Sequence, residues 1–109
     1  MKLKTSELTG KALDYAVAIC EGWDLDSLIE NLENIPEYST EWSECGPLIT
    51  EYSTELTHWN ESEWSSRMAG CTSEPSGETP QIAICRAIAV AYLDEEIDIP
   101  DELLEPEGK

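Results

Sequence analysis

Residues 79–93 constrain this chain more than any other stretch. Thr79 is a good N-cap, and Pro80 stands at the favoured first position of a helix. After Gln81 the run Ile82-Ala83-Ile84-Cys85-Arg86-Ala87-Ile88-Ala89-Val90-Ala91-Tyr92-Leu93 is apolar on every side except at Arg86 and the Tyr92 hydroxyl. A helix of that kind cannot lie on a surface. It has to be the buried centre of a fold, with the other elements wrapped around it. A chain of 109 residues supports one such core and not two. The spacing therefore predicts a central helix over 80–93 in a single domain spanning 1–104, followed by a disordered acidic tail at 105–109.

The rest of the chain supplies short elements. Leu13, Ala16, Val17 and Cys20 recur at helical spacing after Thr9, which predicts a helix over about 9–21 stopped by Gly22. Leu25, Leu28, Ile29 and Leu32 predict a second helical stretch from Asp24 to about Asn34, ended by Pro36. Residues 2–7 read as extended and 36–46 as a loop with a turn at Gly46-Pro47. Residues 48–52 read as a strand, which residues 54–58 continue or pair with. Residues 64–68 are a further strand candidate, and 70–79 read as an exposed loop. Ile97-Asp98-Ile99 alternates like a short edge strand, and Asp101 can cap a last turn with Leu103 and Leu104. The expected class is α+β: two main helices, about 9–21 and 80–93, packed on a short, mostly antiparallel sheet.

Charge excludes whole classes of partner. Twenty-four Asp and Glu face six Lys and Arg, a formal net charge of −18. Such a chain repels nucleic acid and anionic membrane surfaces. It suits a basic protein partner, as a mimic of nucleic acid, or simply stays soluble. The acids between Asp94 and Glu107 would present a negative stripe or a solvated end. Met1-Lys2-Leu3-Lys4 is not followed by an apolar run long enough for an export signal, and no stretch of about 20 apolar residues exists, so the chain is expected in the cytosol.

No motif carries catalysis or a metal. Cys20, Cys45, Cys71 and Cys85 form no C-x-x-C pair and match no zinc spacing. Cys20 and Cys85 fall in helical runs, and Cys45 and Cys71 in loops. His58 is the only histidine. There is no Gly-rich phosphate loop and no G-x-S-x-G. The expectation is a non-enzymatic chain without cofactor or metal.

Arg86 is the informative residue. A guanidinium in an apolar helix needs a carboxylate, carbonyl oxygens or an anionic ligand. An internal salt bridge meets that need, and so does a pocket in which Arg86 grips a phosphate or carboxylate. Thr79 opens the same helix, whose free N–H groups suit an anion. Trp42, Trp59 and Trp64 offer flat faces for a ring, and Gly46 lets a backbone approach a ligand. Lys4 is among the few cations that can make a site locally positive. Arg86, Thr79, Trp42, Gly46, Trp64 and Lys4 are thus the candidate contacts for a small anionic, nucleotide-like ligand. On this reading Arg86→Ala abolishes binding without unfolding the chain.

Several blocks also resemble a known family. Lys4-Thr5-Ser6-Glu7-Leu8-Thr9-Gly10, Ala12-Leu13-Asp14-Tyr15-Ala16-Val17-Ala18, Tyr38-Ser39-Thr40-Glu41-Trp42 and Gly46-Pro47-Leu48-Ile49 are similar to NinX-type phage proteins. So are Thr79-Pro80-Gln81-Ile82-Ala83 with Arg86, and Ile97-Asp98-Ile99-Pro100-Asp101-Glu102-Leu103. Residues 24–35 and 53–78 are less family-like, and the late motif usually lacks the cysteine found at 85. The resemblance implies a phage accessory protein working in the host cytoplasm, but it transfers no catalytic residue. Such a protein would act against host defence, by sequestering a nucleotide-like signal or by blocking a basic host protein. Either mode is compatible with a homo-oligomer.

Overall fold

The computed structural model describes residues 2–103. In chain order the elements are β1 (Lys2–Lys4), α1 (Gly10–Cys20), α2 (Leu25–Glu30), α3 (Trp42–Tyr52), β2 (Thr54–Asn60), β3 (Glu63–Met68), β4 (Ser76–Gly77), α4 (Pro80–Tyr92) and β5 (Glu96–Asp98). Short 3-10 turns lie at Thr5–Glu7, Leu32–Asn34 and Asp101–Leu103. The fold is α+β. Its radius of gyration, 13.1 Å, matches the value of about 13 Å for one compact body of this size.

The apolar helix is the axis of the molecule. α4 packs against α1, α3, β2, β3 and β4. Ile84, Cys85 and Ile88 on α4 are fully buried, as are Leu13 and Val17 on α1 and Cys45 on α3; Leu48 of α3 is nearly so. Thr79 caps α4 as its composition requires, its Oγ1 accepting from the Ile82 N–H at 3.2 Å. α1 runs as its periodicity indicates and stops at Gly22, whose φ of 99° only glycine adopts cheaply.

Strands form two small sheets rather than one. β1 and β5 pair antiparallel, with Leu3 opposite Ile97. Thr5 extends this junction, its Oγ1 donating to the Asp94 and Glu95 carbonyls. The second sheet has the order β2-β3-β4, antiparallel throughout. A hairpin at residues 61–62 joins β2 to β3, and the Asn60 side chain accepts from the Ser62 N–H at 3.0 Å to close it.

Residues 36–52 depart most from the sequence reading. The second half of the expected loop at 36–46 and the expected strand at 48–52 are replaced by α3, while residues 36–41 remain outside helix and strand. Cys45, Leu48, Ile49 and Tyr52 lie at spacings of three, four and seven, one face of a helix. Cys45 and Leu48 are buried on that face, with Ile49 and Tyr52 packed behind them. Pro47 stands inside the helix and removes one backbone bond, yet the burial outweighs that loss. Cys45 is thus a core residue rather than a loop residue. The helix predicted over 24–34 is also shorter. α2 ends at Glu30, Asn31 leaves the helical region at φ −133°, and a 3-10 turn follows. Only Leu28 of its apolar stripe is buried, while Leu25 and Ile29 stay about half exposed. Leu104 and the expected tail at 105–109 lie outside the described residues.

Asp14 is a polar group inside the core, 4% exposed. Its Oδ1 accepts from the Ser39 N–H at 2.8 Å, tying α1 to the segment before α3. Burial pushes its carboxyl above the ordinary value, while hydrogen bonds from Ser39 pull the other way. A raised carboxyl is favoured in its protonated form by folding. Stability from this group is therefore lost as pH rises through the raised value and is regained on acidification toward about pH 4. Asp14→Asn keeps an acceptor and removes the charge. It is expected to raise stability at pH 7 by roughly 1 kcal/mol, a gain that shrinks as pH falls toward 4. Asp14→Ala leaves the Ser39 N–H without this acceptor and is expected to lower stability by about 2 kcal/mol at both values. Urea unfolding at pH 7 and pH 4.5 separates the two.

Candidate functional site

Arg86 lies on the middle turn of α4, half-buried. Its guanidinium meets no carboxylate among the described residues. Nε donates to the Leu8 carbonyl at 2.9 Å, and Nη1 donates to the Ser76 carbonyl at 2.6 Å. The expected internal salt bridge is replaced by two backbone carbonyls, one just before α1 and one on β4. The remaining N–H donors have no partner among the described residues. Burial lowers the pKa of the group, and the nearby Glu78 and Glu7 push it back up, so the guanidinium is charged at any physiological pH.

A cleft of about 460 Å³ opens beside it, lined by Thr9, Asn60, Ser62, Glu63, Ser76, Gly77, Glu78, Ile82 and Arg86. The β2–β3 hairpin forms one wall and the first two turns of α4 the other. The walls meet closely because Gly77 has no side chain. A Cβ there would stand 2.7 Å from Ile82 Cγ2 and 2.8 Å from the Ala83 nitrogen. The cleft thus offers one cation, two carboxylates, and hydroxyl and amide groups suited to sugar-like hydroxyls.

The candidate contacts are dispersed around this geometry. Thr79 is adjacent in sequence to Glu78 of the cleft, but its hydroxyl is engaged in capping α4. Trp64 on β3 stacks on His58, with ring centroids 4.1 Å apart and planes at 23°. Its ladder partner is Gly77, so the stack lies on the α4 side of the sheet, next to the Asn60–Glu63 pair. Trp42 begins α3 and is 48% exposed, away from the cleft. Gly46 lies inside α3 with open space where a side chain would go. Lys4 lines a separate cavity of about 370 Å³ with Thr5, Ser6, Ser73, Val90 and Glu95. Of the candidate contacts, the structure therefore places Arg86 in the cleft and Thr79 next in sequence to its wall, while Trp64, Trp42, Gly46 and Lys4 do not line it. Asn60, Ser62, Glu63 and Gly77 escape the sequence reading, because only the fold of the hairpin over α4 brings them to Arg86.

Two of the thiols are withdrawn. Burial pushes the Cys20 thiol up to about 12. The Cys45 thiol and burial together push Cys85 up as well, so these two are thiols and not thiolates at neutral pH. No cluster of three or more His, Cys, Asp or Glu suited to a metal occurs among the described residues. No helix among them is long and apolar enough to cross a membrane.

The structure is a small α+β fold with a polar cleft beside a half-buried cation. The family is more specific. The chain matches the family model described as Bacteriophage P22, NinX over residues 4–91. That is well over half its length, and the chain belongs to this family, which makes it a phage accessory protein. The match takes in Arg86 and every residue lining the cleft; it ends before Ile97–Leu103. No curated protein matches the chain.

Proposed function

We propose that the chain works in the host cytoplasm as an anti-defence binding protein that sequesters a small nucleotide-like signal in the Arg86 cleft. The observation carrying this reading is a half-buried guanidinium whose own carbonyl partners leave donors free beside a cleft of about 460 Å³. That volume falls within the range of small-molecule sites. A phosphate would take the spare donors, and the polar wall would take ribose hydroxyls. On this reading the action is binding rather than turnover.

Glu63 and Glu78 make such a site selective, because they oppose a ligand with dense negative charge. Glu78→Gln is expected to tighten an anionic ligand roughly threefold to tenfold, and Ser62→Asp to weaken it by a similar factor. Both positions are exposed, so neither change should move the melting temperature much. Native mass spectrometry of the protein purified from infected cells tests the reading directly. A retained small molecule supports sequestration; release of an altered product instead would point to an enzyme.

A second reading is an acidic, nucleic-acid-mimicking inhibitor of a basic host protein. It is supported by the net charge of −18 and by an open sheet edge. A host protein retained in the same experiment would favour it.

A further inference from the structure

β2 is the edge of its sheet, paired with β3 on one side only. It is seven residues long, and all but Thr54 are exposed. Proteins usually blunt such an edge with Pro, Lys or a bulge. Thr54-Glu55-Leu56-Thr57-His58-Trp59-Asn60 contains neither Pro nor Lys, and its one irregularity lies at the hairpin end, between His58 and Asn60. Thr54–His58 is left as a regular strand with one side unpaired among the described residues.

Trp59 stands on this strand, 63% exposed yet held still. Its Nε1 donates to Ser65 Oγ at 2.9 Å, and Ser65 Oγ donates to Glu74 Oε2 at 2.7 Å. The alternation of β3 puts Ser65 and Arg67 on the face away from α4, so the indole bonded to Ser65 is on the outer face of the sheet. A large aromatic surface is thus pre-ordered in solvent, where it costs stability and gains no burial. Its neighbours are acidic: Glu74 beside it, Glu61 in the following turn, and Glu55 paired with Arg67 at 2.8 Å. An indole face next to a carboxylate is a seat for an ammonium or guanidinium group.

We infer that the β2 edge and Trp59 are a docking strand for a basic, extended segment of a partner protein. The segment adds to the sheet beside β2 and lays a Lys or Arg side chain across the Trp59 ring next to Glu74. A second copy of the chain is the poorer occupant, because pairing two β2 edges would set acids against acids in molecules that each carry −18. This rests on the acidic-inhibitor reading and is independent of any ligand at Arg86, which sits on the opposite side of the sheet.

The probe is a ten-residue peptide alternating Lys with Thr, titrated into the full chain and followed by Trp fluorescence and by hydrogen exchange of the β2 amides. Two control peptides replace Lys by Glu, or carry N-methyl groups on alternate backbone amides. Binding of the Lys peptide is expected to slow exchange across Thr54–His58 and to weaken by about tenfold or more between 50 and 300 mM salt. Both controls are expected to fail. Trp59→Ala should weaken binding by roughly tenfold, and Glu74→Gln, which keeps the Ser65 acceptor, by a few-fold. If the Lys peptide binds equally well when N-methylated or with Trp59→Ala, the docking strand is wrong while the acidic-inhibitor reading stands. If no basic peptide binds, both fall. A dimer in sedimentation that disappears on Thr57→Pro would assign the edge to a second copy and overturn the inference.

Discussion

Arg86→Ala is expected to lower the unfolding free energy by about 2–4 kcal/mol and to remove ligand binding together with it. The loss comes from two hydrogen bonds in which a cation donates to a backbone carbonyl, each worth roughly 1.5–3 kcal/mol net. Half-exposure of the guanidinium favours the lower end of that range. The Leu8 carbonyl belongs to a residue only 1% exposed, so it has little access to a replacement water. Arg86 thereby clamps three segments that are distant in sequence: the turn before α1, β4 and α4. Arg86→Lys keeps the charge but brings a single ammonium in place of a fork. It should recover about half of the stability, with anion binding weakened rather than lost. Chemical denaturation followed by Trp fluorescence checks the first effect, and titration with a candidate nucleotide checks the second. A variant that melts like the parent chain would show that neither carbonyl needs the guanidinium. The two carbonyl bonds add a stability cost to the expectation from sequence that alanine here abolishes binding without unfolding the chain. Glu78→Gln and Ser62→Asp are the cleaner probes of the cleft.

Legibility in the sequence followed the strength of local signals. α4 can be read because a capping threonine, a proline and an apolar run agree, and α1 because a four-residue apolar stripe meets a stop glycine. The charge of −18 is composition, which folding does not alter. α3 could not be read correctly, because Gly46-Pro47 is a turn signal in its own neighbourhood. Only the space under α4, filled by Cys45 and Leu48, turns it into helix. Asp14 carries no local mark of burial, and its buried bond to Ser39 depends on a segment 25 residues away. For the cleft, one member was legible. A lone arginine in an apolar helix had to have acceptors, but that these would be the Leu8 and Ser76 carbonyls depends on contacts 78 and 10 residues away. The hairpin residues facing it carry no mark of their own.

Gly77 is the position where the smallest substitution should do the most damage. Its missing side chain, not that of Gly46, is what lets two backbones approach. An alanine Cβ would stand 2.8 Å from the Ala83 nitrogen, and that nitrogen is already bonded to the Thr79 carbonyl in the first turn of α4 at 3.1 Å. Ile82 Cγ2 belongs to a side chain that can turn aside, but the Ala83 backbone nitrogen cannot move without the helix start. Gly77→Ala is expected to lower stability by about 2–3 kcal/mol and Gly77→Val by more, the range of overpacked cores. Gly46→Ala is the matched control. Its Cβ meets open space inside a helix, so it should stabilise by about 0.5–1 kcal/mol. Ser76, whose carbonyl holds Arg86, is the neighbour of Gly77. Pushing β4 off α4 therefore breaks part of what Arg86→Ala breaks. The double variant Gly77→Ala with Arg86→Ala should be less destabilised than the sum of the two, by roughly 1 kcal/mol or more. Strict additivity in a double-mutant cycle would mean that the Gly77 contact and the Arg86 clamp act separately, and that the cleft wall is not the single unit this geometry describes.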